Sequence, residues 1–293
     1  MNINKKIAII YIIVASVLWG TSGIFVHFLA PYGFSSIQMT FLRSVVSFVL
    51  MALYIIFLDK KLFRVKIKEL LLFLGSGLSF FLTASCYYYS MQMTSISTAV
   101  VLMYTAPIFV MIYSVLFLGE KLTKVKIISV LCMIIGCGLV SGVIGGLKFN
   151  AKGIFVGFLS GVAYSAYNIF TKIEMKKGSN PLSATLYCFL FAVIAGFFAS
   201  DVSNLADCIL KMPRVTLPLI IGMGICTCIL PYFLYTLSLK TIHAGTASSL
   251  GIIEPMSATV FSVLIFSENL DVFSACGIVL ILGAVFLLSK SEA

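Results

Sequence analysis

The chain has 293 residues, of which 61% are hydrophobic and only 10% charged, with 20 Lys and Arg residues against 10 Asp and Glu residues. Soluble domains carry about 25% charged residues because most of their surface meets water, so this composition excludes an ordinary soluble domain. The basic residues lie in short clusters between apolar stretches. They form no basic face interleaved with aromatic residues, which argues against a nucleic-acid partner.

Ten apolar stretches are long enough to cross a bilayer as helices, which takes about 20 mostly apolar residues. In chain order they are residues 7–29, 36–58, 70–91, 98–118, 125–143, 153–173, 182–200, 217–239, 244–266 and 272–288. The stretches are too long and too continuous for the strands of a membrane barrel. The sequence therefore predicts an all-α membrane protein with ten transmembrane helices.

The basic residues also predict how these helices are oriented. If the N-terminus is cytoplasmic, 15 of the 20 Lys and Arg residues fall in cytoplasmic segments, four fall in external segments and Arg43 falls inside a span. Cytoplasmic loops carry an excess of Lys and Arg. We therefore expect a multi-pass protein of the cell membrane with both termini in the cytoplasm.

The second half of the chain repeats features of the first half at a shift of 148 residues. The repeated pairs are Tyr87 and Tyr235, Ser90 and Ser238, Thr98 and Thr246, Ala99 and Ala247, Pro107 and Pro255, Glu120 and Glu268, and Leu122 and Leu270. Such duplication in a very apolar chain is typical of transporters built from two related halves.

Five spans in each half is an odd number, so the halves must enter the membrane in opposite directions. The loop at 119–122 carries Lys121, whereas its counterpart at 267–270 carries no Lys, as expected for loops on opposite faces. The sequence therefore predicts two inverted-topology repeats of five helices, at residues 7–143 and 153–288.

Several short motifs carry a family resemblance. They are Leu18-Trp19-Gly20-Thr21, Phe41-Leu42-Arg43, Ala106-Pro107 with Gly119-Glu120-Lys121-Leu122, and Glu254-Pro255 with Ser267-Glu268. In their order and duplication they resemble the EamA family of the drug/metabolite transporter superfamily. The resemblance implies a carrier with a central substrate cavity between two inverted halves, lined mainly by spans one, three, four, six, eight and nine. It implies no particular substrate, because that family includes carriers of amino acids, other metabolites and drugs.

Polar and aromatic residues at helical spacing identify candidate substrate-binding positions, because such faces turn away from lipid. The candidates are Trp19, Tyr87, Tyr104, Tyr164 and Asn168, and Trp19 and Tyr164 occupy related positions in the two repeats. The alternative is that these side chains only form hydrogen bonds between packed helices.

Two charged residues lie inside predicted spans, where a charge needs a partner or water. Glu254 lies near the middle of span nine, and Arg43 lies about seven residues from the external end of span two. Loss of hydration favours the neutral acid at Glu254, whereas water or a nearby cation favours the carboxylate. We expect Glu254 to bind substrate and to couple transport to protons, or else to be a permanently neutral hydrogen-bonding group. For Arg43 we expect a structural role, with snorkelling toward the surface as an option.

Pro107 and Pro255 occupy equivalent positions in spans four and nine. Proline removes one backbone hydrogen bond and kinks a helix. The pairing predicts two hinges that bend during alternating access, and the alternative is a pair of static packing kinks.

The leading interpretation is a secondary active transporter that exports a small amphipathic metabolite or amino acid. An uptake permease or an uncoupled facilitator of the same fold is the first alternative, and a membrane scaffold is the second. The sequence contains no nucleotide-binding loop, no metalloprotease or serine-hydrolase motif and no zinc-spaced cysteines. We therefore expect no enzymatic activity, cofactor or metal, and no oligomeric state is predicted.

Overall fold

The computed structural model describes residues 4–94, 96–140, 150–202, 204–267 and 271–292. Every regular element in these ranges is a helix. We number the long helices α1 (Lys5–Gly20 with Ser22–Leu29), α2 (Ser36–Leu58), α3 (Ile67–Met93), α4 (Ile96–Met103 with Ala106–Phe117), α5 (Lys124–Val140), α6 (Ala151–Lys176), α7 (Pro181–Ala199), α8 (Pro213–Gly224, a π turn at Ile225–Ile229, and Leu230–Ser238), α9 (Ala244–Leu250 with Ile253–Phe266) and α10 (Val272–Glu292). A short helix, Leu205–Leu210, lies between α7 and α8.

Eight helical segments in the described ranges are long and apolar enough to cross a membrane, and they correspond to α1–α4 and α6–α9. The structure thus confirms an all-helical, multi-pass membrane protein. Helix α5 has 17 described residues, and α10 contains a shorter apolar stretch at Val272–Leu288. The crossing of the membrane by these two helices stays a prediction.

Side-chain caps determine where several helices begin. Ser35 and Gln38 form a reciprocal capping box at the start of α2. The Asn150 side chain accepts a hydrogen bond from the backbone of Gly153, so α6 begins two residues before the predicted apolar stretch. Asn180 caps α7 in the same way, with Pro181 in the first turn.

Helices α4 and α9 are both interrupted just before their prolines. The break in α4 falls at Tyr104–Thr105 and the break in α9 at 251–252. Pro107 and Pro255 therefore lie in the first turn of the helical piece that follows each break. Backbone N–H groups in a first turn have no acceptor within the helix, so the missing proline N–H costs no helical hydrogen bond. Each predicted kink therefore coincides with an interruption of the helix.

Contacts between the halves define the relative directions of the helices. Gly75 lies against Phe170, and the Ser90 hydroxyl donates to the Gly153 carbonyl at 2.9 Å, so α3 and α6 are antiparallel. Helices α5 and α10 are also antiparallel, because residue 136 lies against 281 and residue 140 against 277.

Helix α1 runs parallel to α9. The Ser16 hydroxyl donates to the Leu250 carbonyl at 3.3 Å, and one turn later Gly20 lies against Ser257. Helix α4 runs parallel to α6 by the same criterion, since residue 157 lies against 102 and residue 161 against 105.

The pattern of helix contacts is preserved when the two halves are exchanged. Exchanging the halves relates helices whose numbers differ by five. The contact of α3 with α6 then corresponds to that of α8 with α1, and the contact of α4 with α6 corresponds to that of α9 with α1. The contact of α3 with α7 likewise corresponds to that of α8 with α2. Helices α5 and α10 pack mainly on each other. The functional cavity lies between the halves, among the helices that make these shared contacts.

Candidate functional site

A cavity of about 770 Å³ lies between the two halves. Five of the six predicted substrate-binding residues line it, namely Trp19, Tyr87, Tyr104, Tyr164 and Glu254. The lining comes from α1, α2, α3, α4, α6, α8 and α9, with Val140 from the end of α5 and Asp271 and Ser274 from the region that begins α10. Span two was not expected in this wall, and it contributes Arg43.

Glu254 lines the cavity at the point where the interruptions of α4 and α9 meet. The hydroxyl of Tyr104, which is only 1% exposed, donates to Glu254 Oε2 at 2.6 Å. The interaction joins residues 150 positions apart on two repeat-equivalent helices. Hydrogen bonds to carboxylates are about twice as strong as neutral ones, so an ionised Glu254 would be held firmly against α4.

Aromatic rings form one wall of the cavity. The Trp19 ring lies 5.0 Å from the Tyr232 ring, and Tyr232 lies 4.9 Å from Phe80 in an edge-to-face arrangement. Tyr104 and Tyr164 meet edge to face at 6.4 Å. Such pairs fix ring orientations and give the cavity a rigid, amphipathic surface.

Arg43 lies in the cavity rather than snorkelling out of the helix bundle. Its guanidinium carbon lies 5.6 Å from the centre of the Phe80 ring, in cation–π contact. Its Nε is buried and has no hydrogen-bond partner among the described residues, and none of these residues forms an ion pair with the guanidinium. The sequence predicts a structural role for Arg43, and its position in the cavity wall also makes it a candidate binding residue.

Asn168 is the predicted substrate-binding residue that does not line the cavity. It is fully buried in α6, where its amide donates to the Tyr164 carbonyl at 2.7 Å and its oxygen accepts from the Tyr235 hydroxyl. With these partners, Asn168 joins α6 to α8. We therefore assign it to helix packing, the alternative that its sequence pattern also allowed.

The cavity reaches solvent-exposed residues at one end of the helix bundle, which we call the mouth. Its lining there includes His27 near the end of α1, Phe266 at the end of α9, and Asp271 and Ser274 at the start of α10. The backbone N–H and hydroxyl of Ser274 donate to Asp271 at 2.8 and 2.9 Å, which lowers the pKa of Asp271. The mouth therefore carries a carboxylate.

At the opposite end of the bundle, three charged or titratable residues link α4, α6 and α9. Glu120 accepts a hydrogen bond from the backbone of Ala244 at 3.1 Å and lies 3.3 Å from His243 Nδ1. The Lys172 ammonium donates to the carbonyls of Leu239 and Ile242 at 2.8 and 2.6 Å. We call Glu120, Lys172 and His243 the end cluster.

The end cluster keeps Glu120 ionised. Burial by itself raises the pKa of Glu120, but the hydrogen bond and charge of His243, the Ala244 N–H and the Lys172 charge together lower the pKa below its ordinary value. A buried carboxylate with several donors ties the ends of the helices together.

Two residues near the end of α6 were not recognised as buried from the sequence. Lys172 was counted only as a cytoplasmic charge, and Glu174 was not singled out. The structure buries both, and Glu174 Oε1 has no hydrogen-bond partner among the described residues. The buried stripe of Tyr164, Asn168 and Thr171 approaches these positions at helical spacing and could have revealed them. No group of three or more potential metal ligands occurs in the described part of the chain.

A polar cavity enclosed by membrane-spanning helices defines the class of membrane transport proteins. The sequence profile of the EamA-like transporter family matches residues 6–142 and again residues 151–290. The chain therefore belongs to the EamA-like transporter family, and this membership indicates a transporter rather than an enzyme.

Relatives and a solved structure agree with this assignment. An uncharacterized transporter of Archaeoglobus fulgidus is 27% identical over 277 residues, which cover 94% of each chain. An uncharacterized transporter of Clostridium kluyveri is 28% identical over 215 residues, which cover 70% of this chain and 67% of the relative. A protein of known crystal structure, 16% identical, superposes with a TM-score of 0.78 over 96% of this chain and 95% of its own, which shows a shared fold.

Proposed function

We propose that the protein is a secondary active transporter that exports a small amphipathic metabolite or amino acid by alternating access. One observation carries the proposal: the cavity of about 770 Å³ extends to exposed residues at one end of the bundle, while the end cluster joins the helices at the other end. A site reached from one side at a time is the arrangement that alternating access requires.

Helix directions support two inverted repeats of five spans, residues 7–143 and 153–288. Helix α1 is parallel to α9, and α4 is parallel to α6. Helices α4 and α9 are antiparallel, because residue 111 lies against 245 while 104 contacts 254. The repeat-equivalent helices α1 and α6 must then run in opposite directions. The antiparallel pair α3 and α6 needs an even number of crossings between them, so crossings by both α4 and α5 fit this pair and support the ten-span arrangement.

The charge distribution supports one orientation of this bundle in the membrane. With both termini in the cytoplasm, the end cluster lies on the cytoplasmic side and the mouth with Asp271 lies outside. The conformation then corresponds to an outward-open state. Interruption of α4 and α9 beside Pro107 and Pro255 supports these prolines as the hinges of the change to an inward-open state.

We propose Glu254 as the proton-coupling residue. It faces the cavity, and titratable or charged groups surround it on five other helices: Tyr104 on α4, Tyr164 on α6, Tyr87 on α3, Tyr232 on α8 and Arg43 on α2. Because it follows the break in α9, a bend there changes its access to water. A group that is wet in one state and dry in the other can carry a proton across.

Transport by purified protein in proteoliposomes tests this function. A panel of radiolabelled amino acids, amphipathic amines and carboxylates identifies a substrate, and an imposed pH gradient tests coupling. Glu254→Gln keeps the size and hydrogen bonding but cannot titrate, so exchange at saturating substrate should persist while proton-driven accumulation is lost. Glu174→Gln is the matched control, because it makes the same change at a buried acid outside the cavity.

The outcomes separate the alternatives. Unchanged pH-driven accumulation in Glu254→Gln would exclude this residue as the coupling site. Exchange without any response of the wild-type protein to a pH gradient indicates an uncoupled facilitator. Substrate accumulation inside intact cells that express the protein indicates an uptake permease. A scaffold shows no transport of any compound in the panel.

A further inference from the structure

We propose that the cavity binds a zwitterion, an α-amino acid with an apolar side chain, with its carboxylate on Arg43 and Trp19 and its ammonium on Glu254. The inference rests on the proposed transport function and specifies its substrate class. Three side chains on α1, α2 and α9 carry it, and each lines the cavity.

Arg43 supplies the strongest argument. A guanidinium carries five N–H donors and keeps its charge, so removing it from water without an acceptor is costly. Among the described residues its contacts are the face of Phe80 and longer-range electrostatic interactions, and its buried Nε donates to none of them. A carboxylate matches the planar donor fork of arginine and can accept two parallel hydrogen bonds. A ligand carboxylate in the cavity would accept the hydrogen bonds that Arg43 does not donate within the described protein.

Trp19 provides a second donor without a partner. Its side chain is 95% buried, its Nε1 has no hydrogen-bond acceptor among the described residues, and it lines the same cavity. Tyr232 connects the two donors, because its ring packs against Trp19 on one side and against Phe80, which lies under Arg43, on the other. Two unsatisfied donors on one aromatic wall point to a ligand with an acceptor group there.

Glu254 provides the opposite pole. Tyr104 satisfies one carboxylate oxygen, and no Lys, Arg or His among the described residues forms an ion pair with Glu254. Glu254 and Arg43 are near enough to interact electrostatically but do not form a salt bridge. A separated positive and negative pole, each without a counter-ion, is the complement of a zwitterion.

An apolar part of the cavity wall indicates the rest of the ligand. Met91, Val100, Met103 and Val140 form this part, although polar residues such as Thr83 and Thr227 also line the cavity. A charged side chain placed against the apolar part would lose hydration without gaining a partner, whereas an aliphatic side chain gains by burial. This part of the site therefore favours leucine-like amino acids over polyamines or dicarboxylates.

Binding of leucine and two of its analogues tests the inference. Isoamylamine lacks the carboxylate of leucine, and isocaproate lacks the ammonium. Thermal-shift titration of purified wild-type protein should show leucine binding at least about tenfold more tightly than either analogue, as expected for losing one charge-assisted interaction.

Variants then assign each pole. In Arg43→Gln, leucine and isoamylamine should bind equally while isocaproate stays weaker than leucine. In Glu254→Gln, leucine and isocaproate should bind equally while isoamylamine stays weaker. Arg43→Lys keeps the charge but lacks the planar donor fork, so it should lose part of the preference for leucine over isoamylamine. This variant replaces Arg43→Gln in the test if Arg43→Gln fails to fold. Arg214→Gln, outside the cavity, is the control and should bind like the wild type.

Several results would overturn the inference. The wild-type protein could fail to bind leucine, or the two analogues could bind as tightly as leucine. The preference for leucine over both analogues could also persist in both Arg43→Gln and Glu254→Gln. Transport of another compound in the same preparation would leave the proposed function standing. A preparation that binds leucine but transports nothing would refute the transport function and leave the binding site supported.

Discussion

At the scale of single residues, the cavity combines groups that a lipid-facing helix would not tolerate. Glu254, Arg43 and Trp19 are polar side chains deep in apolar spans, and the last two lack hydrogen-bond partners within the described chain. Natural structures leave few buried polar groups unsatisfied, and those that remain call for an explanation. A ligand that arrives with complementary groups provides one.

Removing only the indole N–H tests the role of Trp19. Trp19→Phe keeps an aromatic ring against Tyr232 but removes the donor, so leucine affinity should fall about ten- to hundredfold, the value of one hydrogen bond to a carboxylate. Thermal-shift titration measures affinity, and quantitative blotting measures abundance in the membrane. Equal losses of affinity and abundance would instead indicate that Trp19 only packs the helices together.

At the scale of elements, the interruptions of α4 and α9 bring functional residues to one level of the membrane. Each break exposes backbone groups that a continuous helix would satisfy, and each is followed by a proline. Tyr104 lies in the break of α4, while Glu254 begins the second piece of α9. The binding site and the proposed hinges therefore belong to the same two structural elements.

Straightening the hinges should slow transport without abolishing binding. Pro107→Ala and Pro255→Ala restore a backbone N–H, which favours a continuous helix and opposes bending. We expect substrate exchange in proteoliposomes to fall severalfold in each variant while leucine binding changes little. Pro181→Ala, at the first turn of α7, is the control and should retain exchange. Normal substrate exchange in both Pro107→Ala and Pro255→Ala would show that the prolines are static kinks and not hinges.

The end cluster should contribute stability that depends on pH. Glu120 has a pKa below its ordinary value of 4.5 in the folded protein. A depressed carboxylate pKa contributes stability that is complete above the unfolded pKa and is lost as pH falls through the folded pKa. The unfolding midpoint of wild type should therefore exceed that of Glu120→Gln by a few degrees between about pH 7 and 5.

The same difference should begin to shrink as pH falls below about 4.5 and should vanish below the folded pKa, because both proteins then carry a neutral group at this position. His243 and Lys172 face Glu120 and are common to both proteins, so the comparison isolates the carboxylate. A difference that disappears already between pH 7 and 5, or that is absent throughout, would show that Glu120 does not hold the end cluster together.

At the scale of the whole molecule, the two halves are similar, and exchanging them preserves the pattern of contacts between helices. In such a structure, the inward-open state can resemble the outward-open state with the roles of the halves exchanged. The charges break this symmetry, because Arg43 and Glu254 each have an uncharged equivalent in the other half, Phe191 and Ala106. Under the proposed alternating access, the two states would therefore present different surroundings to the same pair of charges.

The orientation of the molecule can be measured by labelling introduced cysteines, after replacing the exposed Cys276 by Ser. An impermeant maleimide applied to intact cells should label Arg214→Cys and should not label Lys61→Cys or Lys290→Cys. The reason is that basic residues concentrate in the proposed cytoplasmic segments. External labelling at residue 290 would contradict both the cytoplasmic C-terminus and the inverted repeat.

The sequence by itself determined the membrane class, the apolar spans, the duplication and the paired prolines. These features depend on local composition and on spacing along the chain, which the bilayer constrains directly through span length and backbone satisfaction. It also identified Glu254, because an acid inside an apolar span is conspicuous without any knowledge of its neighbours.

Only the tertiary structure decided which helix faces meet. In the folded protein Tyr104 forms a hydrogen bond with Glu254, 150 residues away in the sequence. Arg43 lines the cavity, and the Asn168 side chain is hydrogen-bonded to Tyr235. In lipid, the face toward the bilayer and the face toward other helices are both largely apolar, so periodicity distinguishes them poorly. Packing between helices makes that choice, and it depends on partners that lie far away in the sequence.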